Sequence, residues 1–356
     1  MSANWIEPLS VAVALGVLIT SVAAWARIGW KRVQKVQTGP LVPYQSPTTQ
    51  PRRAPFWQFS DLVVFVGLLF VSSGLMQSYV VPVIAPDLME SAGSASDEPQ
   101  SIESADSEST SNQSEGEIVP APVDAEPASD AEVPALTGPQ MAVRLATHSL
   151  AMAAATLISV LSLVFRNRNA IAELGLVPSW SDVRMAGQAA ILLIPPCMLL
   201  MSLVSLLMPY QHAVIDTLEA SPQLWILALM CVTTVVVTPV VEEYAVRGLM
   251  QGSLQTILDP PESLETQVGD ESSAGPSRSG WTPRHWLPNY ITSGVFALLH
   301  ANQGLAPIPL FVLSVGLGYL YRQTGKLMIP VLVHATLNGT TMLLLTLQLY
   351  ISASSP

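Results

Sequence analysis

Charged side chains are scarce in this sequence: only 12% of its 356 residues are Asp, Glu, Lys or Arg, whereas 50% are hydrophobic. The mean hydropathy is +0.43. A soluble protein of this size rarely carries so few charges. The composition therefore predicts an all-α, polytopic transmembrane helical bundle rather than a pair of soluble domains.

Cysteine and basic residues are also few. The two cysteines, Cys197 and Cys231, both lie within apolar runs, so we expect no disulfide framework. The 15 Lys and Arg residues form no basic patch of the kind that binds nucleic acid. The lipid bilayer is the partner that the composition predicts. Nothing in the sequence indicates an oligomeric state.

Basic residues are absent between Arg53 and Arg144, and thirteen acidic residues lie within 87–132. The net charge of −11 therefore belongs to this segment, because the rest of the chain is close to neutral. Segment 88–138 is rich in Ser, Glu, Asp, Ala and Pro, and we expect a disordered extracytoplasmic linker. A second polar loop, 259–288, is expected to be flexible.

The apolar runs predict about eight membrane spans, since a spanning helix needs roughly 20 mostly apolar residues. The predicted spans are 9–26, 62–84, 145–165, 185–208, 223–243, 289–303, 305–321 and 327–350. Arg27, Lys31, Arg32 and Lys35 follow the first span, which places that loop in the cytoplasm and both termini outside it. We expect an integral protein of a prokaryotic plasma membrane.

The predicted organisation has three parts. Residues 1–87 form two helices joined by a basic cytoplasmic loop, and 88–138 form the acidic linker. Residues 139–356 form the core that carries the polar motifs described next.

The stretch TPVVEEYAVRG at 238–248 places Glu242, Glu243 and Arg247 beside an apolar run. On a helix, Glu243 and Arg247 are four residues apart and share a face, so we expect them to pair. Glu242 points about 100° away and lacks an obvious local partner. Ionisable groups within a membrane segment indicate a functional site, although the trio could also mark the end of a span.

Two later segments contain histidines at helical spacing. FALLH places Phe296 and His300 on one helical face, and HATLN places His334 and Asn338 on another. A lone histidine in an apolar helix is usually a core residue. Two of them, each in a later span after a Glu-Glu-x-x-x-Arg segment, favour a shared site.

In this order, the three motifs resemble the signatures of the CAAX-processing and bacteriocin-processing (CPBP or Abi) family of intramembrane proteases, which includes the type II CAAX prenyl endopeptidases. The resemblance covers roughly residues 145–350. It implies that Glu242 activates the attacking water and that Glu243 supports the site through Arg247. It also implies that His300 and His334 hold the water or a metal, and that Asn338 helps to stabilise the oxyanion.

The identity of a cofactor stays open at this point. Glu242, His300 and His334 could form an open zinc site, whose metal would acidify a bound water. The H-E-x-x-H spacing of many zinc proteases is absent from the sequence. Water activated by glutamate alone is the other option.

Three functions are compatible with these patterns. The first is an intramembrane endopeptidase that acts on a peptide or membrane-protein substrate, CAAX-type or related. The second is a non-catalytic scaffold or immunity protein on the same fold, because fold does not fix function. The third is an ion-coupled transporter that uses the buried charges as a relay. No internal repeat supports the third.

Overall fold

The computed structural model describes residues 6–34, 40–41, 52–84, 138–207, 223–261 and 281–354. All regular structure within these ranges is helical, which confirms the prediction of an all-α protein. Almost all of the predicted acidic linker, and most of the predicted loop at 259–288, lie outside the described residues. The proposed division into three parts therefore stays a prediction.

The helices are numbered here in chain order over the described residues. They are α1 (Ile6–Val33), α2 (Phe59–Ile84), α3 (Gly138–Arg166), α4 (Ala170–Glu173), α5 (Trp180–Ser205), α6 (Leu224–Leu258), α7 (Leu287–Leu298), α8 (Pro307–Thr324) and α9 (Met328–Ser354). A short 3₁₀ turn, Ala301–Gln303, joins α7 to α8.

Every predicted span overlaps one of these helices. Within the described residues, five helices are long and apolar enough to cross a membrane: α2, α3, α5, α6 and α9. The protein is thus an integral membrane protein by length and composition of its helices. The count of about eight spans and the orientation of the termini stay predictions.

Helix α6 is longer than the sequence predicted. It runs for 35 residues without a break, whereas the predicted span ended at 243. Such a helix is roughly 50 Å long, which exceeds a hydrocarbon core of about 30 Å. Glu242 and Glu243 therefore lie within the helix and not at its end. The interpretation that they mark the end of a membrane span stays a prediction.

Two segments of α6 are π-helical, namely Val232–Val237 and Tyr244–Gln251. They flank the short α-helical segment Thr238–Glu243, which contains Pro239. A π-helical turn shifts the register of the side chains and is frequent at functional sites. The acidic pair lies at the junction between the central segment and the second π-helical segment.

An apolar cluster joins α5, α8 and α9 and fixes the position of His334 in α9. Its innermost members are almost fully buried, and they are Met185, Ala189, Leu313, Leu317, Leu320, Ile329 and Val333. Helix α5 begins with a capping box, in which Asp182 accepts from the Ser179 backbone N–H at 2.8 Å. The same carboxylate binds Lys326 Nζ at 2.8 Å, two residues before α9 begins.

Residues 52–58, which we call the N-terminal strap, pack against the second half of α6. The indole Nε1 of Trp57 donates to the Gly248 carbonyl at 2.8 Å, in a buried contact. Arg52 Nη1 donates to the Arg322 carbonyl at 2.6 Å near the end of α8. The strap therefore connects α6 to α8 before the chain enters α2.

Candidate active site

Glu243 and Arg247 form a fully buried ion pair on α6. Glu243 Oε2 lies 3.2 Å from Arg247 Nε, and both side chains have no exposed surface. The pairing predicted from their four-residue spacing is thus present. Because an isolated charge at this depth would be very costly, each of these residues depends on the other.

Arg247 is also held by residues from two other helices. Its Nη2 donates to Ser314 Oγ at 2.8 Å and to the Ser314 carbonyl at 3.3 Å. Its guanidinium carbon lies 5.4 Å from the centre of the Phe296 ring, which is within cation–π range. The arginine therefore ties α6 to both α7 and α8.

His334 of α9 contacts both carboxylates. Its Nδ1 donates to Glu243 Oε1 at 3.0 Å, and its Nε2 lies 3.8 Å from Glu242 Oε2. Since Nδ1 is engaged by Glu243, Nε2 is the ring atom presented to Glu242. The side chain of Glu242 is 25% exposed whereas that of Glu243 is 0% exposed, so the two neighbouring glutamates have different environments.

His300 follows α7 by two residues and contacts Phe296, the residue that also contacts His334. Its Nδ1 donates to the Phe296 carbonyl at 2.9 Å, because a carbonyl can only accept. The centre of the Phe296 ring lies 4.9 Å from that of His300 and 5.8 Å from that of His334. Both imidazoles interact electrostatically with Glu242.

Asn338 lies one turn after His334 and contacts the backbone of α6. Its Nδ2 donates to the Thr234 carbonyl at 2.8 Å. In the first π-helical segment, Thr238 N–H bonds the carbonyl five residues earlier, at Thr233. The next donor in that register is Pro239, which has no N–H to offer Thr234. Asn338 therefore supplies the hydrogen bond that Pro239 cannot make.

Comparison with known protein families agrees with this geometry. Residues 223–340 match the family model described as Rce1-like, type II CAAX prenyl endopeptidase. This segment is therefore similar to the Rce1-like family. The match confirms the resemblance predicted from the motifs, and it covers about a third of the chain, from the start of α6 into α9. No curated protein and no solved structure matches the chain.

The matched segment contains every predicted site residue, and the description of the family model names an endopeptidase. Helices α1 to α5 precede the matched residues. Three of these helices nevertheless support the segment, since α5 packs on α9, and both α2 and α3 pack on α6. The predicted site residues thus lie within the matched segment, and helices outside that segment pack against it.

In the described part of the chain, no group of three or more His, Cys, Asp or Glu side chains is placed to hold a metal ion. The zinc site of Glu242, His300 and His334 stays a prediction.

The sequence interpretation did not identify several buried residues at the candidate site. Ser314 binds Arg247, and Gln251 and Gln255 continue the same face of α6 with no exposed surface. Their signal was the spacing of four residues from Glu243 through Gln255. The sequence interpretation assigned this stretch to the end of a span, where polar residues need no partner, and so passed over it.

Proposed function

We propose that this protein is an intramembrane endopeptidase, which hydrolyses peptide bonds in membrane-associated substrates with water activated by Glu242. The observation that carries the proposal is the continuous contact from Glu242 through His334 and Glu243 to Arg247. A partly exposed carboxylate beside a rigidly held imidazole is suited to general base catalysis. The match to an endopeptidase family supports the same class of reaction.

In the proposed reaction, the attacking water lies between Glu242 and His334. The 3.8 Å separation of Glu242 Oε2 from His334 Nε2 is too long for a direct hydrogen bond and suits a shared water. Glu242 accepts a proton from this water while its oxygen attacks the scissile carbonyl. The same proton then passes to the leaving amine, so that one peptide bond and one water give a carboxyl group and an amine.

The other residues position these groups. Glu243 fixes the ring of His334 and is itself held by Arg247. His300 is proposed to help hold the water. Asn338 donates one Nδ2 hydrogen to Thr234. We propose that its second Nδ2 hydrogen stabilises the oxyanion, because a preorganised donor at a developing negative charge lowers the barrier.

The proposed substrates are CAAX-type or related peptides, by analogy with the name of the matched family. We propose a prokaryotic plasma membrane as the location, with both termini extracytoplasmic. Neither a prenyl group on the substrate nor a zinc ion in the site is required by the mechanism above.

The test uses purified protein in liposomes with a panel of membrane-anchored peptides, CAAX-type and others, and mass spectrometry of the products. Peptides for the panel come from comparative proteomics of membrane-protein termini in cells with the wild type or Glu242→Gln. Replacing the base lowers turnover by about 10²–10⁴-fold for this kind of catalysis. Equal cleavage by both proteins would contradict the proposal.

The same pair of proteins separates the alternatives. A scaffold or immunity protein predicts a cellular phenotype that Glu242→Gln leaves unchanged. A transporter predicts pH-driven flux in vesicles that contain the purified protein alone. Full activity after dialysis against a chelator would exclude the zinc version, and loss of activity in proportion to lost metal would support it.

A further inference from the structure

Four polar side chains lie at four-residue intervals along one stretch of α6: Glu243, Arg247, Gln251 and Gln255. All four have no exposed surface. The first two belong to the site described above. The two glutamines continue from that site towards the C-terminal end of α6, and the proposed mechanism has no use for them.

The glutamines have more polar atoms than protein partners. Gln251 Nε2 donates to the Gly318 carbonyl at 2.9 Å, but its Oε1 has no hydrogen-bond partner within the described ranges. Both amide atoms of Gln255 likewise lack one there, as does Arg247 Nη1. Unpaired polar atoms therefore follow one another along the helix, instead of occurring as isolated exceptions.

At Gly318, two acceptor oxygens face the same small space. A Cβ atom on Gly318 would lie 1.8 Å from Asn289 Oδ1 and 2.9 Å from Gln251 Oε1. Both oxygens can therefore lie close to the backbone of α8 only because residue 318 has no side chain. Asn289 is fully buried. It donates its Nδ2 to the Val315 carbonyl at 3.0 Å, and its Oδ1 accepts from Ser293 Oγ at 3.3 Å, which leaves room for one further donor to this oxygen. Two acceptors cannot bond each other, whereas water can donate to both.

We infer that the face of α6 formed by Arg247, Gln251 and Gln255, together with Asn289, binds a chain of water molecules that leads to the catalytic carboxylates. Buried polar groups in proteins are commonly satisfied by water that makes about three hydrogen bonds. In a membrane protein such groups persist only where protein or water surrounds them.

The inference rests on the proposed function for its role, because hydrolysis consumes one water for each peptide bond. A substrate that occupies the exposed side of Glu242 would close the direct route from solvent. The buried face of α6 offers a separate supply from the end of the helix.

The direct test measures water contact by NMR on protein labelled with ¹⁵N-glutamine in detergent micelles. Magnetisation transfer from water to the side-chain amides of Gln251 and Gln255 is expected. Gln58, exposed at the start of α2, serves as the positive control. Loss of single signals in Gln251→Asn and Gln255→Asn assigns the resonances. Absence of transfer to both buried amides, with transfer to Gln58 intact, overturns the inference.

The functional test compares Gln255→Leu with Ile257→Ala, an exposed position two residues later on the same helix. Gln255→Leu is expected to lower kcat by about tenfold with KM unchanged, since it affects water and not substrate. Ile257→Ala is expected to retain wild-type kinetics. If Gln255→Leu alters KM alone, or leaves kcat unchanged, the supply role is wrong.

The two tests separate this inference from the proposed function. If the wild-type protein cleaves no peptide, the proposed function is wrong. Magnetisation transfer from water to the two glutamines would then still support the water chain. A wild-type protein that cleaves peptides, without such transfer, sinks the inference alone.

Discussion

The two halves of α6 have side chains in opposite environments. In Leu224–Val237, the large apolar side chains of Leu224, Trp225, Val232 and Val236 are at least half exposed, as suits a surface that faces lipid. In Thr238–Leu258, an ion pair and two glutamines are fully enclosed by protein. The comparison teaches that one helix can carry charge within a membrane only along the part that neighbouring helices surround.

The largest change in the free energy of unfolding is expected when a charge in the enclosed half of α6 loses its partner. Arg247→Leu leaves the Glu243 carboxylate buried without its partner, and breaking a buried ion pair costs about 3–5 kcal/mol. Reversible unfolding of purified protein in mixed micelles measures the change. The double variant Glu243→Leu/Arg247→Leu is expected to be more stable than the single one.

An exposed pair provides the matched control for this change. Arg166 binds Asp61 near the start of α2, where the arginine side chain is 45% exposed. Arg166→Met is expected to cost less than about 1 kcal/mol, because solvent screens the pair. Equal losses of unfolding free energy in Arg247→Leu and Arg166→Met would contradict the distinction between enclosed and exposed ion pairs.

An intermediate effect is expected at the junction of the two halves, where Asn338 bonds the Thr234 carbonyl. Asn338→Ala leaves the partly buried Thr234 carbonyl unpaired, at a cost of about 1 kcal/mol. Pro239→Ala restores a backbone N–H, so the cost of Asn338→Ala is expected to shrink in that background. A double-mutant cycle on unfolding free energies measures this coupling, and additive losses would show that Asn338 does not serve the proline.

A smaller effect is expected where the N-terminal strap covers α6. Trp57→Phe keeps the aromatic packing but removes the bond to the Gly248 carbonyl, at a cost of about 0.5–1.5 kcal/mol. Hydrogen exchange should rise at 244–258 and stay constant at 224–237. A uniform rise in both halves would indicate that the strap stabilises the whole helix equally.

The smallest effect is expected just after α6, where the Asp259 carboxylate accepts hydrogen bonds from Arg284 and His285, shortly before α7 begins. The desolvation of this carboxyl opposes its charge, but hydrogen bonds from the Arg284 and His285 backbone and the His285 ring outweigh it and hold the pKa of Asp259 below its ordinary value. Folding therefore favours the ionised form. The contact is fully formed above the ordinary carboxyl pKa and is lost as pH falls through the lower folded-state value.

Amide exchange at 284 and 285, corrected for intrinsic rates, follows this titration. Exchange is expected to accelerate on acidification in the wild type, and Asp259→Asn should remove the pH dependence. Faster exchange on raising the pH instead would contradict the assigned direction.

The helical fold and the pairing of Glu243 with Arg247 could be predicted from the sequence, because both depend on local spacing. The roles assigned to the site residues stay predictions. Long apolar runs located the helices. The four-residue interval gave the Glu243–Arg247 pair that the structure shows at 3.2 Å. The motif order indicated that His300 and His334 would approach Glu242, and both interact with it.

The rest depends on register and on neighbours distant in sequence. Nothing local shows that two π-helical segments interrupt α6, or that the helix continues to Leu258. The contact of Ser314 with Arg247 spans 67 residues. Buried glutamines look like interfacial residues until the helices that enclose them are known.

The most direct test of the central claim compares Glu242→Gln with Glu243→Gln for turnover and thermal stability. The account assigns chemistry to the partly exposed Glu242 and positioning to the buried Glu243. Glu242→Gln should therefore lower kcat by about 10²–10⁴-fold at an unchanged Tm. Glu243→Gln should lower Tm as well, because Arg247 loses its counter-charge. Near-wild-type turnover in Glu242→Gln would contradict the account.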